Sequence, residues 1–143
     1  DTLNAANAAK QEQDSKFALF RSYGASKALF VSASALAQKA SADAAAEKER
    51  MRVEVEGLLA QAQTAFDEAN AALAKAPVGK GNKADIELIK NDLAGIGLAL
   101  EDAKADFAAG KYISAKSKVE GVMSNTQRIT AEIASAAAKK AGR

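Results

Sequence analysis

The sequence predicts an all-α protein: an antiparallel bundle of three to four long helices, with a long first helix and a C-terminal helical hairpin turning at Gly110. Alanine, the best intrinsic helix former, accounts for 37 of the 143 residues, and proline occurs once. Large apolar residues recur at helical spacing in three segments of similar length. Because only 32 hydrophobic residues are larger than alanine, the core is expected to be thin and its helices close together.

The predicted order begins with an N-terminal helical segment over 1–22, whose ends we expect to fray, followed by a helical bundle over 23–143. The first bundle helix is predicted at about 23–76. Its second half steps by three or four residues through Met51, Val55, Leu58, Ala62, Phe66, Ala69, Leu73 and Ala76. That spacing places these side chains on one helix face, as a bundle core requires.

The first half of this helix leaves two architectures open. Positions Tyr23, Phe30, Ala37, Ala44, Met51 and Leu58 recur every seven residues, as in one unbroken helix of roughly 80 Å. A break near residues 41–43, with a new N-cap there, would instead give a four-helix bundle. Residues 37–50 contain no apolar side chain larger than alanine, so we favour the unbroken helix. Its first half would then pair with a second subunit or with residues 3–22 folded back past Gly24.

Two further helices are predicted at about 83–109 and 112–138. The first follows "KAPVGKGN" (75–82), in which proline and glycine end a helix and Asn82 can cap the next. Its apolar positions are Ile86, Ile89, Leu93, Ile96, Leu100, Ala103 and Phe107. The second repeats the spacing at Tyr112, Ala115, Val119, Val122, Thr126, Ile129, Ile133 and Ala136. Two matched helices joined at Gly110 by a very short turn must lie antiparallel.

Absent residue types exclude several classes of site. The chain has no cysteine and no histidine, which excludes thiol chemistry, structural zinc sites and nucleophiles that depend on a histidine base. No pattern marks out carboxylates, lysines or tyrosines for catalysis. We therefore predict a protein that is not an enzyme, with no catalytic, cofactor-binding or metal-binding residue and no cofactor. No apolar run approaches the ~18–20 residues of a membrane span.

Charge is unevenly spread although the net charge is only +2. Residues 53–68 carry four acids and no base, whereas residues 108–143 carry seven bases and two acids. This pattern is typical of an acidic helix lying beside a basic one. The bases have no arginine or aromatic cluster among them, so a nucleic-acid partner is not expected.

Four of the seven aromatic residues lie within fourteen positions: Phe17, Phe20, Tyr23 and Phe30. A core or a dimer seam is the first interpretation. The alternative is an apolar face that meets a partner protein, a lipid or a polymer surface. We take residues 17–36 as the candidate partner surface, with a protein partner or a homo-oligomer as the expected partner.

Two stretches resemble known helical proteins. The segment "FAAGKYISAKSKV" is similar to the turn of a tetratricopeptide-type helical hairpin, which often carries G-x-Y-x2-A. The stretches "LLAQAQTAFDEANAALAKAP" and "ALEDAKADFAAGKYISAKSKVEGV" resemble alanine-rich, all-helical bacterial cell-envelope (periplasmic) proteins of unknown function. The aromatic cluster is also similar to that of granule-coating phasins, which are alanine-rich and helical.

The envelope resemblance implies an exported protein without catalytic residues. The expected function is therefore a non-enzymatic structural or protein-interaction helical bundle of the bacterial cell envelope. The alternative is a binding bundle for an apolar or lipid-like ligand or surface, as in a phasin-like granule coat. A periplasmic or cell-envelope location is expected. Removal of a secretory signal is one explanation for a chain that begins at Asp1, and a trimmed chain is the other. A cytoplasmic location is the alternative.

Overall fold

The computed structural model describes residues 1–79 and 81–141, and in this part of the chain it contains only helices, turns and loops. The elements are α1 (Thr2–Asp14), a 3-10 turn (Ala18–Phe20), α2 (Gly24–Lys75), α3 (Lys83–Ala108) and α4 (Tyr112–Ala141). The predicted all-α bundle with a C-terminal hairpin is confirmed.

Helix α2 runs from Gly24 to Lys75 without a break. Ser41 and Asp43 therefore lie inside a helix and do not cap a new one. The physical reason is local, because no glycine or proline interrupts the chain between Gly24 and Gly57. Every side chain from residue 34 to residue 50 is exposed, so helix propensity, more than packing, forms this segment.

The chain divides into two compact units, unit 1 (Asp1–Glu47) and unit 2 (Lys48–Arg143). The boundary between the units falls within α2, whereas the sequence analysis drew its boundary between residues 22 and 23. Unit 1 therefore joins α1 and the 3-10 turn to residues 24–47 of α2.

Unit 2 has a core made by the second half of α2 together with α3 and α4. The buried residues are Val55, Leu59, Ala62, Ala69, Ile86, Ile89, Leu93, Ile96, Leu100, Ala103, Ala115, Val119, Val122, Ile129, Ile133 and Ala136. All three predicted apolar stripes contribute to it, and Leu59 joins them from outside the predicted stripe. Helices α2 and α3 approach closely at Gly97, where an added Cβ would lie 3.1 Å from Cζ of Phe66.

The α3–α4 hairpin reverses at Gly110, which has a φ of 73°. The Gly110 amide donates to the Phe107 carbonyl, and the Lys111 amide donates to the Asp106 carbonyl, both at 2.9 Å. These two bonds form a Schellman motif, which satisfies the last carbonyls of α3 and favours glycine at the left-handed position. The rings of Phe107 and Tyr112 pack across the turn with centroids 5.4 Å apart.

Asn82 occupies the predicted N-cap position of α3, but its side chain does not cap the helix. The side chain is 2% exposed and bonds elsewhere. Its Oδ1 accepts from the Gly79 amide at 2.7 Å, and its Nδ2 donates to the carbonyls of Pro77 (2.8 Å) and Ala136 (3.1 Å). Asn82 thus fastens the α2–α3 loop to α4.

Within unit 2, ion pairs join lysines of α4 to acidic residues of α2 and α3. Lys116 of α4 donates to Glu54 of α2, and Lys118 of α4 contacts Asp102 and Asp106 of α3. Lys116 and Lys118 therefore face acids of the neighbouring helices. Ion pairs as exposed to solvent as these contribute little to the free energy of unfolding.

In unit 1, the chain folds back so that α1 lies beside the start of α2. Ala6 of α1 is fully buried. Lys10 of α1 lines one groove with Phe30, Val31 and Ser34 of α2. This arrangement agrees with one of the partners predicted for the long helix, residues 3–22 folded back past Gly24.

Candidate interaction surface

The connection between α1 and α2, residues 15–23, contains three of the four predicted surface aromatics, and we call it the aromatic turn. Its backbone is held by polar groups near the end of α1. Arg21 Nε donates to the Lys16 carbonyl at 2.9 Å and Arg21 Nη2 donates to the Asp14 carbonyl at 3.0 Å. The Ser22 amide donates to Oε1 of Gln13 at 3.1 Å. Polar bonds therefore hold the backbone of the turn.

Phe17 and Phe20 flank the 3-10 turn and project into solvent. Phe17 has extended backbone geometry (φ −60°, ψ 142°), and its carbonyl accepts from the Phe20 amide at 2.9 Å. The side chains of Phe17 and Phe20 are 72% and 75% exposed. Burial of a phenylalanine side chain is worth about 1.5–3 kcal/mol, so two such exposed side chains retain a large driving force for contact.

Tyr23 is the last residue before α2 and is anchored by its hydroxyl group. The hydroxyl donates to Oδ1 of Asp14 at 2.7 Å, and Lys10 Nζ donates to Oδ2 of the same carboxylate at 2.6 Å. The hydrogen bond to Asp14 raises the pKa of Tyr23, while the bonds from Lys10 and Tyr23 lower the pKa of Asp14. Tyr23 thus ties α1 to α2 and supports the aromatic turn.

Phe30 is half-buried in a shallow groove between α1 and α2. Tyr23, Ser26 and Lys27 line the same groove on its α2 side. The structure therefore separates the four predicted residues into two roles. Phe17 and Phe20 are presented to solvent, whereas Tyr23 and Phe30 take part in the contact between α1 and α2.

Other exposed apolar residues of unit 1 were not predicted individually. Val31 and Leu36 are 62% and 56% exposed. Both lie within the predicted surface of residues 17–36, but outside the seven-residue recurrence of Tyr23, Phe30 and Ala37, so the recurrence did not single them out. Leu3 near the start of α1 is 54% exposed.

The charges around the aromatic turn are predominantly positive. Residues 15–42 contain four bases and no acid. Lys16 pairs with Glu12 of α1 at 3.2 Å, and Arg21 donates to carbonyl groups instead of to a carboxylate. Lys27 has no ion-pair partner among residues 1–79 and 81–141. Arg21 thus follows Phe20 directly in the chain, and Lys27 lines the groove next to Tyr23.

The carboxylates of unit 2 do not form a metal-binding arrangement in the described residues. Asp102 and Asp106 contact Lys118, and Glu101 pairs with Lys104 at 2.7 Å. Lysine partners satisfy these acids, so surface ion pairing accounts for the cluster.

Within the described part of the chain, no helix has the length and apolar character needed to cross a bilayer. A scan against models of known families, a search of curated proteins and a search of solved structures gave no significant match to this chain. The aromatic turn and its basic border are therefore interpreted from their own geometry.

Proposed function

We propose that the protein is a non-enzymatic structural or interaction module of the bacterial cell envelope. Unit 2 serves as a packed helical scaffold, and the aromatic turn of unit 1 serves as the contact surface. The observation that carries the proposal is the exposure of Phe17 and Phe20, at 72% and 75%, on a turn built from polar bonds.

Unit 2 supports the role of a scaffold. Its core side chains from three helices are buried, and its buried polar residues Asn82 and Thr126 form hydrogen bonds. In the described residues, no buried side-chain nitrogen or oxygen atom lacks a hydrogen-bond partner. The buried polar groups of unit 2 thus have partners within the protein, as expected of a packed scaffold.

The envelope location rests on the resemblance of two alanine-rich stretches to envelope proteins. The proposal therefore has two testable parts, the contact surface and the compartment. Labelling of single cysteines tests both, because the natural chain has no cysteine.

The experiment compares Phe20→Cys with Leu98→Cys, since Phe20 and Leu98 are both 75% exposed. Each variant is treated with a maleimide that does not cross membranes, as purified protein and in the cells that make it. We expect Phe20→Cys to react quickly when purified and slowly in cells, because its partner covers the turn. Leu98→Cys should react in both settings.

Equal reactivity of Phe20→Cys in both settings would contradict the contact surface. If the reagent reaches Leu98→Cys only after the cytoplasmic membrane is opened, the envelope location is wrong. The contact surface is read from the reactivity of Phe20→Cys relative to Leu98→Cys in the same cells, and the compartment from Leu98→Cys alone, so each part of the proposal can fail separately.

A further inference from the structure

We propose that the partner of the aromatic turn is an anionic lipid bilayer surface, into which Phe17 and Phe20 insert while Arg21 and Lys27 contact phosphate headgroups. The inference rests on the proposed function, because it uses the same contact surface and names what covers it.

The first argument is the arrangement of apolar and basic side chains. Phe17 follows Lys16 directly, and Phe20 precedes Arg21. Long basic side chains lay their apolar stems along an apolar surface and keep their charge at the polar boundary. Aromatic residues bordered by bases are the combination that interfacial segments use at the headgroup and acyl-chain boundary.

The second argument is charge complementarity. The nearby acids are engaged inside unit 1, Asp14 with Lys10 and Tyr23, and Glu12 with Lys16. Arg21 and Lys27 lie in a stretch that contains no acid from residue 15 to residue 42. A surface of anionic lipids attracts each such base and raises binding by roughly fivefold per base.

The third argument is area. Two phenylalanine side chains offer at most roughly 500 Å² of surface. A stable protein interface buries about 800 Å² on each partner. The aromatic turn by itself is thus small for a protein interface, whereas a bilayer accepts a shallow wedge of this size. This comparison favours a lipid surface over a second protein.

The test measures co-sedimentation of the full chain with vesicles. One set contains phosphatidylcholine alone, and the other contains phosphatidylcholine mixed with phosphatidylglycerol. We expect binding to the mixed vesicles, weaker binding to the neutral vesicles, and a loss of binding as salt increases, because salt screens the attraction of exposed charges. Absence of binding to the mixed vesicles would overturn the inference.

Variants then assign the binding to the turn. We expect Phe17→Ala/Phe20→Ala to weaken binding about tenfold or more, since it removes two insertable rings. The matched control is Leu88→Ala/Leu98→Ala, which removes two side chains of unit 2 that are 61% and 75% exposed. Equal weakening by the control pair would contradict the inference.

A charge reversal provides the second comparison. Lys27→Glu should weaken binding to the mixed vesicles by roughly fivefold or more and leave the binding to neutral vesicles unchanged. Lys48→Glu makes the same change of charge elsewhere on α2 and should have a smaller effect. An equal effect of the two reversals would show that net charge alone, and not the turn, attracts the vesicles.

Folding of each variant is checked by circular dichroism. If Phe17→Ala/Phe20→Ala loses helicity, insertion of the turn is measured instead with an environment-sensitive dye attached to Phe20→Cys. The dye should shift to the emission of an apolar environment with mixed vesicles, and an unshifted emission would overturn the inference. If vesicles do not bind but Phe20→Cys is protected in cells relative to Leu98→Cys, the proposed function stands and the partner is a protein. If neither occurs, both proposals are wrong.

Discussion

Gly110 shows how one residue determines a chain reversal. Its φ of 73° lies in the left-handed region, and the two Schellman bonds require that conformation. The sequence analysis identified this glycine because it separates two apolar stripes of equal spacing. Asn82 was also identified, but only as a helix cap. Its bond to the Ala136 carbonyl joins residues 54 positions apart, and no local pattern reports such a contact.

We expect Gly110→Val to lower the free energy of unfolding by about 1–2 kcal/mol, because a Cβ in the left-handed conformation meets the following carbonyl. Denaturant unfolding measures the change. Gly121→Ala is the control, since an added Cβ there has nothing within 4 Å and the site is helical. The control should gain about 0.5–1 kcal/mol. A gain in both variants would show that the turn tolerates any residue.

The bond between Tyr23 and Asp14 predicts a pH dependence for unit 1. Asp14 has a pKa lowered from 3.8, so its contribution is present above that pH and is lost as the pH falls through the folded value. Tyr23 has a pKa raised from 10.0, so its contribution is lost as the pH rises through the folded value. The bond should therefore stabilise unit 1 between these two limits.

Phenolate absorbance in a Tyr112→Phe background measures the pKa of Tyr23 alone. We expect Asp14→Asn to lower that pKa towards its usual value, because the hydrogen bond to the carboxylate is the largest cause of the shift. Lys16→Gln leaves this bond in place and is the control. An unchanged pKa in Asp14→Asn would mean that the tyrosine does not bond to this carboxylate in solution.

At the scale of elements, the helices differ in what forms them. Helices α3 and α4 have apolar residues at every third or fourth position, and packing buries those positions. Their boundaries were predictable because periodicity and glycine placement agree. The segment 34–50 of α2 has no buried side chain, so periodicity carried little information there. Composition accounts for the helix in this segment, because an alanine-rich run without glycine or proline favours helix formation.

Helix α2 should consequently show two levels of protection from hydrogen exchange. We expect amides of residues 36–46 to exchange faster than amides of residues 55–69, because exposed helical bonds open locally. Ala44→Gly should speed exchange further around residue 44, as glycine costs about 1 kcal/mol in an exposed helix.

Mass spectrometry of exchanged peptides provides the measurement. Ala69→Gly is the comparison, because Ala69 is 1% exposed and its loss should lower the stability of unit 2 instead. Uniform protection along α2 would mean that residues 34–50 have a partner in solution.

At the scale of the whole molecule, stability and contact are assigned to different parts of the chain. Unit 2 contains the core and the interhelical ion pairs, whereas the exposed aromatics belong to unit 1. The sequence predicted the clustered aromatics as a candidate surface. It did not predict that Tyr23 and Phe30 would serve the α1–α2 contact, because that depends on the carboxylate of Asp14 and on the path of the turn.

The stability of unit 2 is expected to depend on the link between the α2–α3 loop and α4. Asn82→Ala removes three hydrogen bonds of a buried amide, so we expect a loss of about 2–3 kcal/mol in the free energy of unfolding. Thermal unfolding followed by circular dichroism checks this. Asn91→Ala changes an exposed asparagine within α3 and should alter the stability little. Equal losses would show that the loop is not fastened by Asn82.

The polar bonds of the aromatic turn affect which mutations the protein can tolerate there. Hydrogen bonds that involve Arg21, Gln13 and Asp14 hold the backbone of the turn. Folding therefore depends little on the side chains at positions 17 and 20. A selection for folded protein alone should accept serine or lysine at both positions and reject most changes at Arg21. Affinity for the partner can then evolve by exchanging two side chains, without a compensating mutation anywhere in the scaffold.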